Sequence, residues 1–208
     1  MKYLALVFDD GPHSPICEIA DKIKAYGWSA GFAVIGQNIS DETLPMLKYV
    51  IDNGFQLVSL WQEHLHMEKI PTREEIESEI YLPIKTVREK LNYEMTMTRL
   101  PYLSENVRAL EVAKELNLPV LGWGIDNACD WDTSVTPEAI AEAVLGSVCD
   151  GAIGCLHVRH NTCKALDIIL PELKKQDYFL VTPAEMFDKK GITPPVGVPI
   201  HNANNLLK

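Results

Sequence analysis

Two hydrophobic periods exchange regularly along this chain, and that exchange restricts its fold more than any other feature. Short apolar, β-rich runs at residues 3–8, 30–35, 55–60, 95–99, 119–123, 152–157 and 178–181 alternate with amphipathic stretches at 15–26, 41–52, 105–116, 137–148 and 163–175. A longer helix follows the third run. It opens on Thr72 with Glu75 three residues on, a capping-box pattern, and carries Ile76, Ile80, Val87 and Leu91 on one stripe despite Pro83. Seven strands joined by helices predict a parallel sheet covered by helices. Periodicity alone leaves two forms open, a closed barrel or an open doubly wound sheet.

A chain of 208 residues, 47% of them hydrophobic, has enough apolar side chains for one core, so residues 1–188 are expected to form one domain. Residues 189–208 are rich in Pro, Gly and Asn and are expected to lie as a coil tail on the surface. The net charge of -10 and the scattered Lys and Arg leave no basic patch for phosphates, which argues against a nucleic-acid partner. The first apolar run meets Asp9 too soon to serve as a secretory core, and no stretch reaches the roughly 18–20 apolar residues of a membrane span. The expectation is a cytoplasmic protein with no membrane partner. The five cysteines include no CxxC pair and fit reduced thiols.

Residues of catalytic type fall at the strand ends, where a parallel barrel places its active site. The first strand ends in Phe8-Asp9-Asp10-Gly11-Pro12-His13. Adjacent carboxylates can divide into a base and a metal ligand. The third is followed by Gln62-Glu63-His64-Leu65-His66, and the fourth ends in Arg99-Leu100-Pro101-Tyr102. The fifth runs into Asp126 and Asp130-Trp131, and the sixth ends in Cys155-Leu156-His157. Each has an ordinary reading. Asp-Asp-Gly-Pro is a common turn, loop histidines are often merely solvated, and a lone arginine is often a structural ion-pair partner. His157, ending an apolar strand, needs hydrogen-bond partners if buried. Order and spacing together favour one site over five coincidences.

In that order the segments resemble the five motifs of the polysaccharide deacetylase, or NodB-homology, family, over residues 4–187. Val7-Phe8-Asp9-Asp10-Gly11-Pro12 is similar to the TFDDGP motif. The resemblance implies Asp9 as general base and Asp10 as a ligand of a divalent metal, zinc or similar. Arg99-Leu100-Pro101-Tyr102 is similar to RxPY, implying that Arg99 orients the base and that Tyr102 offers a backbone N–H to an oxyanion. Asp130-Trp131 resembles the fourth motif, an Asp that tunes the catalytic histidine and a Trp that walls the groove. His157 matches the general acid. Cys155 and Leu156 fall in the substrate pocket, Cys155 where the family usually has leucine. The implied fold is a distorted (β/α)7 barrel, and the implied activity is hydrolysis of a non-peptide C–N bond in a saccharide or related small amide.

One departure is chemical. The second motif, normally NGHEIGNHTxxHP, supplies two metal-binding histidines. Aligned from Asn53-Gly54, the first falls on Leu60 and only the second, His64, remains. A hydrolytic zinc site usually takes three protein ligands and an open position. His66 or Glu63 is the candidate third ligand. Failing that, the metal is weak or absent, and the alternative is an inactive barrel that binds a saccharide or regulatory ligand.

Overall fold

The computed structural model describes residues 1–125 and 128–207, so the Asp126 position lies outside the described residues. The first strand, β1 (Lys2–Gly11), is the axis of the sheet. It pairs in parallel with β2 (Gly31–Val34) and β5 (Ile153–His157), and its first residues pair with β6 (Tyr178–Leu180). Next to β2 lies β3 (Gln56–Ser59), also parallel. Leu4 to Phe8 are fully buried, as a strand covered on both faces requires. The period of two then separates two cores. Leu4, Leu6 and Phe8 face an outer layer shared with the helices, whereas Ala5 and Val7 join Ala33, Val58, Leu60 and Ile153 in an inner cluster. Asp9 continues the inward series.

The outer layer is completed by α1 (Ile16–Lys24), α2 (Leu44–Asp52), α3 (Arg73–Leu91), α4 (Val107–Glu115), α5 (Pro137–Ser147) and α6 (His160–Lys175). In α3 the expected capping box is present, and Ile76, Ile80 and Val87 are buried. Among the described residues no helix is long and apolar enough to cross a membrane.

Three differences from the sequence expectation have physical causes. Residues 95–99 make a single bridge at Thr98, paired in parallel with Ser59 and Val120, so this strand is only a link between β3 and β4 (Val120–Leu121). A further helix, α7 (Pro183–Lys190), follows β6; Thr182 and Glu185 form its capping box and Pro183 occupies its first turn. The tail is not simply a surface coil. Its β7 (Pro199–Ile200) pairs in parallel with β4, Ala203–Leu206 forms a 3-10 turn, and Ile200 and Ala203 are buried.

The tail thereby covers an edge that β4 would otherwise expose. The Gly124 N–H donates to the Ile153 carbonyl at 2.6 Å, and the Ile153 N–H donates to that of His201 at 2.9 Å, closing the ring between β4 and β5. The sheet is therefore a distorted (β/α)7 barrel rather than an open one. Ile200→Ala should lower unfolding free energy by about 2–4 kcal/mol in denaturant titration, as for a core isoleucine. A change within about 0.5 kcal/mol would match a surface coil instead.

Candidate active site

Asp9 and Arg99 lie side by side at the barrel mouth although ninety residues separate them. Arg99 Nη1 donates to Asp9 Oδ1 at 2.7 Å, and both side chains are buried. Arg99 Nη2 donates to the carbonyls of Gly122 at 2.9 Å and Gly154 at 3.5 Å. Two strands thus fix the guanidinium, and the guanidinium fixes the carboxylate. The second Asp9 oxygen, Oδ2, accepts from the Cys155 thiol at 3.4 Å. Burial raises the Asp9 carboxyl above its ordinary value, and the charges of Arg99 and His157 offset this only in part. An ionised Asp9 is therefore a stronger base than an exposed aspartate.

Across the same mouth stands His157, two residues beyond Cys155 and on the same strand face. Its Nδ1 lies 2.8 Å from Asp130 Oδ1, while Asp130 Oδ2 accepts from the His157 backbone N–H and from Thr162 Oγ1, each at 2.6 Å. Asp130 is almost fully buried, so water screens its contact with His157 little. Burial by itself lowers the His157 imidazole, but the hydrogen bond and charge of Asp130, with Asp9 and Asp10 behind them, outweigh it and hold the group above its ordinary value. With Nδ1 committed to Asp130, Nε2 is the nitrogen available for proton transfer.

A cavity of about 450 Å³ joins these groups. Asp9, Asp10, His64, Cys155 and His157 line it, together with Tyr102 and Trp131. Arg99 and Asp130 stand directly behind Asp9 and His157. Tyr102 adopts a left-handed φ of 54° and, like Trp131, is exposed. Two expected members are elsewhere. Leu156 sits in the outer core with no exposed surface, because 155 and 157 share the inner face and 156 must take the other. His66 stacks on the Tyr102 ring at 3.6 Å between centroids.

The family's metal position is where the arrangement departs furthest. Leu60, 1% exposed, belongs to the inner apolar cluster and has no donor atom. His64 Nε2 is 3.9 Å from Asp10 Oδ1, and burial lowers this imidazole despite the neighbouring carboxylates. Asp10 Oδ2 accepts from Arg159 Nη2 at 2.7 Å, and Arg159 Nη1 lies 3.0 Å from His13 Nε2. Among the described residues, Asp10, His64 and His66 do not converge as three donors. A carboxylate already paired with a guanidinium, one imidazole and a leucine do not fit the family's metal.

Sequence reading missed three contributors. Arg159 contacts Asp10 across 149 residues, and Thr162 reaches Asp130 from the first turn of α6; neither contact has a local sequence signal. Glu79 of α3 accepts the backbone N–H groups of Gln62 and Glu63 at 3.1 and 2.8 Å. It thereby holds the loop that presents His64, where Trp61 and His64 both have positive φ.

A parallel barrel with a buried Asp–Arg pair and a histidine–carboxylate pair opening on one cavity at its strand ends has the groups that acid–base chemistry requires. The comparisons name the family. Its model, polysaccharide deacetylase, matches residues 1–121, and the chain belongs to that family. It is 30% identical to a peptidoglycan-N-acetylglucosamine deacetylase of Bacillus cereus, over 91% of this chain and 90% of that one. It is also 30% identical to a bifunctional xylanase/deacetylase of Pseudobutyrivibrio xylanivorans, over 94% of this chain, but spans only 32% of that relative. A solved family 4 acetyl xylan esterase of Clostridium thermocellum, in complex with a cobalt ion, superposes with a TM-score of 0.87 at 29% identity, covering 97% of this chain and 98% of that one.

If Arg159 closes the metal position, Leu60→His alone should gain little Co²⁺ affinity in calorimetry. Leu60→His combined with Arg159→Gln should bind at least about 10-fold more tightly, because the pair restores a histidine and frees a carboxylate oxygen. Equal affinities in the two variants would clear Arg159 of that role.

Proposed function

We propose that this chain hydrolyses the N-acyl bond of an amino sugar or a related small amide, without the family's metal. The observation that carries this reading is the opposition of a base with raised pKa, fixed by Arg99, to an acid with raised pKa, fixed by Asp130, across one cavity. Asp9 takes a proton from water as the oxygen attacks the carbonyl carbon. The backbone N–H of Tyr102 meets the developing oxyanion, and His157 gives its proton to the amine nitrogen as the C–N bond breaks. The cavity wall of Tyr102 and Trp131 suits a sugar ring, whose apolar face packs on aromatic surface. General acid–base catalysis supplies on the order of 10²–10⁴ in rate. A Lewis acid would add several kcal/mol, so turnover here is slow or is directed to a more reactive acyl group such as formyl.

A second reading rests on Leu60 and Arg159. Both fit a barrel that keeps the groove to hold a saccharide and has given up hydrolysis. Acid release from N-acetyl and N-formyl amino sugars separates the two. Activity should fall by about 10³-fold or more in Asp9→Asn. If the natural protein binds such sugars but releases no acid, the hydrolase reading fails and the binding one stands.

The pH dependence has a defined sign. Hydrolysis needs Asp9 ionised and His157 protonated, and both groups are raised. The acid limb of kcat/KM should therefore lie above the ordinary carboxylate value, and the alkaline limb above the ordinary imidazole value. Asp130→Asn removes the largest interactions that raise His157, leaving only the charges of Asp9 and Asp10 against the burial that lowers it. The alkaline limb should then move to lower pH, and an unmoved limb would mean that His157 is not the acid.

A further inference from the structure

Cys155 introduces chemistry that neither the hydrolytic reading nor the family's metal position uses. It stands between the base and the acid. A carboxylate oxygen of Asp9, Sγ of Cys155 and a ring nitrogen of His157 all lie within 4.8 Å of one another. Zinc bonds of about 2.0–2.3 Å set tetrahedral ligand atoms roughly 3.3–3.8 Å apart, so an ion needs these atoms to close by about 1 Å. Oxygen, sulfur and imidazole nitrogen are the donor types of a three-ligand site with one open position.

The surroundings are those of a ligand set. Metal-bound histidine characteristically gives its other ring N–H to a carboxylate, and His157 Nδ1 lies 2.8 Å from Asp130 Oδ1. Asp9 is oriented through Oδ1 by Arg99, which leaves Oδ2, the oxygen next to Sγ, turned toward the thiol. Three carboxylates, those of Asp9, Asp10 and Asp130, surround the position against two guanidiniums, those of Arg99 and Arg159. Once the His157 ring and the thiol have lost their protons, the balance is negative and favours a dication. Leucine, at the Cys155 position, would make the same wall without a donor.

We propose that Asp9, Cys155 and His157 form a binding site for a thiophilic divalent cation of the Zn²⁺ or Cd²⁺ class, displaced from the family's metal position. The thiol proton and the Nε2 proton of a charged His157 ring pass to solvent as the metal–sulfur and metal–nitrogen bonds form, with no change of oxidation state. On the proposed hydrolase reading this ion occupies the base and the acid together, so it inhibits where the family's metal would activate. Binding itself does not depend on that reading.

Cd²⁺ titration followed by thiolate-to-metal charge-transfer absorption tests the site without any substrate. The natural protein should develop a band that saturates at one Cd²⁺ per chain. Cys129 and Cys149 are exposed and are the competing thiols, so the band should survive Cys129→Ser with Cys149→Ser and disappear in Cys155→Ala. His157→Gln keeps the thiol and should weaken binding by at least about 10-fold, which tests the set even if Cys155→Ala folds poorly. No band in the natural protein, a band that survives Cys155→Ala, or unchanged affinity in His157→Gln overturns the proposal. Where hydrolysis is detectable, one equivalent of Zn²⁺ should abolish it and a chelator should restore it; full activity with the ion bound refutes the inhibitory part.

Discussion

The buried ion pair between Arg99 and Asp9 organises this molecule. Removing both charges from water costs several kcal/mol per ion, and only close geometry with further hydrogen bonds offsets that cost. The geometry comes from the barrel: the guanidinium reaches carbonyls at Gly122 and Gly154 while it holds the carboxylate. Both carbonyls belong to glycines for steric reasons. A Cβ on Gly154 would meet Ile125 and Leu6 at 2.7 Å, and one on Gly122 would meet the His201 ring at 2.5 Å. The buried ion pair, the strand spacing and the C-terminal tail are therefore one packing problem. A tail that left β4 would free the space that Gly122 now shares with His201.

Two imidazoles facing the same cavity show how partners decide function where burial alone does not. Both His64 and His157 are desolvated, which disfavours the charged ring. His157 has a carboxylate hydrogen-bonded to its ring and rises; His64 meets Asp10 only at 3.9 Å and falls. The difference follows from Asp130, which bonds the His157 ring, whereas the carboxylate nearest His64, that of Asp10, gives its other oxygen to Arg159. One arginine thus influences the family's metal position twice, by occupying an oxygen and by neutralising the charge that would hold a cation near His64.

The fold was largely legible in sequence because strands and helices announce themselves by period. Barrel closure was not, since it depends on how β4, β5 and the tail meet, and β7 is too short for its period to register. The start of α7 is readable in sequence, with Thr182, Pro183 and Glu185 in capping order. At the site, Asp9, Asp10, Arg99, Asp130 and His157 were legible through a family pattern, and the structure brings them to one mouth. Leu156 was misplaced although the alternation of its own strand excludes it from the face of Cys155 and His157. Arg159 and Thr162 act through contacts that sequence distance hides.

A guanidinium and a metal ion are not equivalent occupants of an active site, and the difference bears on what this barrel can do. Arg159 supplies positive charge at Asp10 but has no empty coordination position, so it cannot bind water or draw electron density from a carbonyl oxygen as a Lewis acid does. On the proposed reading, activation of water then falls to Asp9 alone, and the strength of that base matters more than in a metal-assisted site. Burial supplies the strength by raising the carboxyl, and Arg99 limits how far it rises, so that the group still ionises. The same enclosure that makes Asp9 basic places a thiol against its free oxygen. On the two proposals together, a site that works without the family's metal carries soft-donor chemistry of its own.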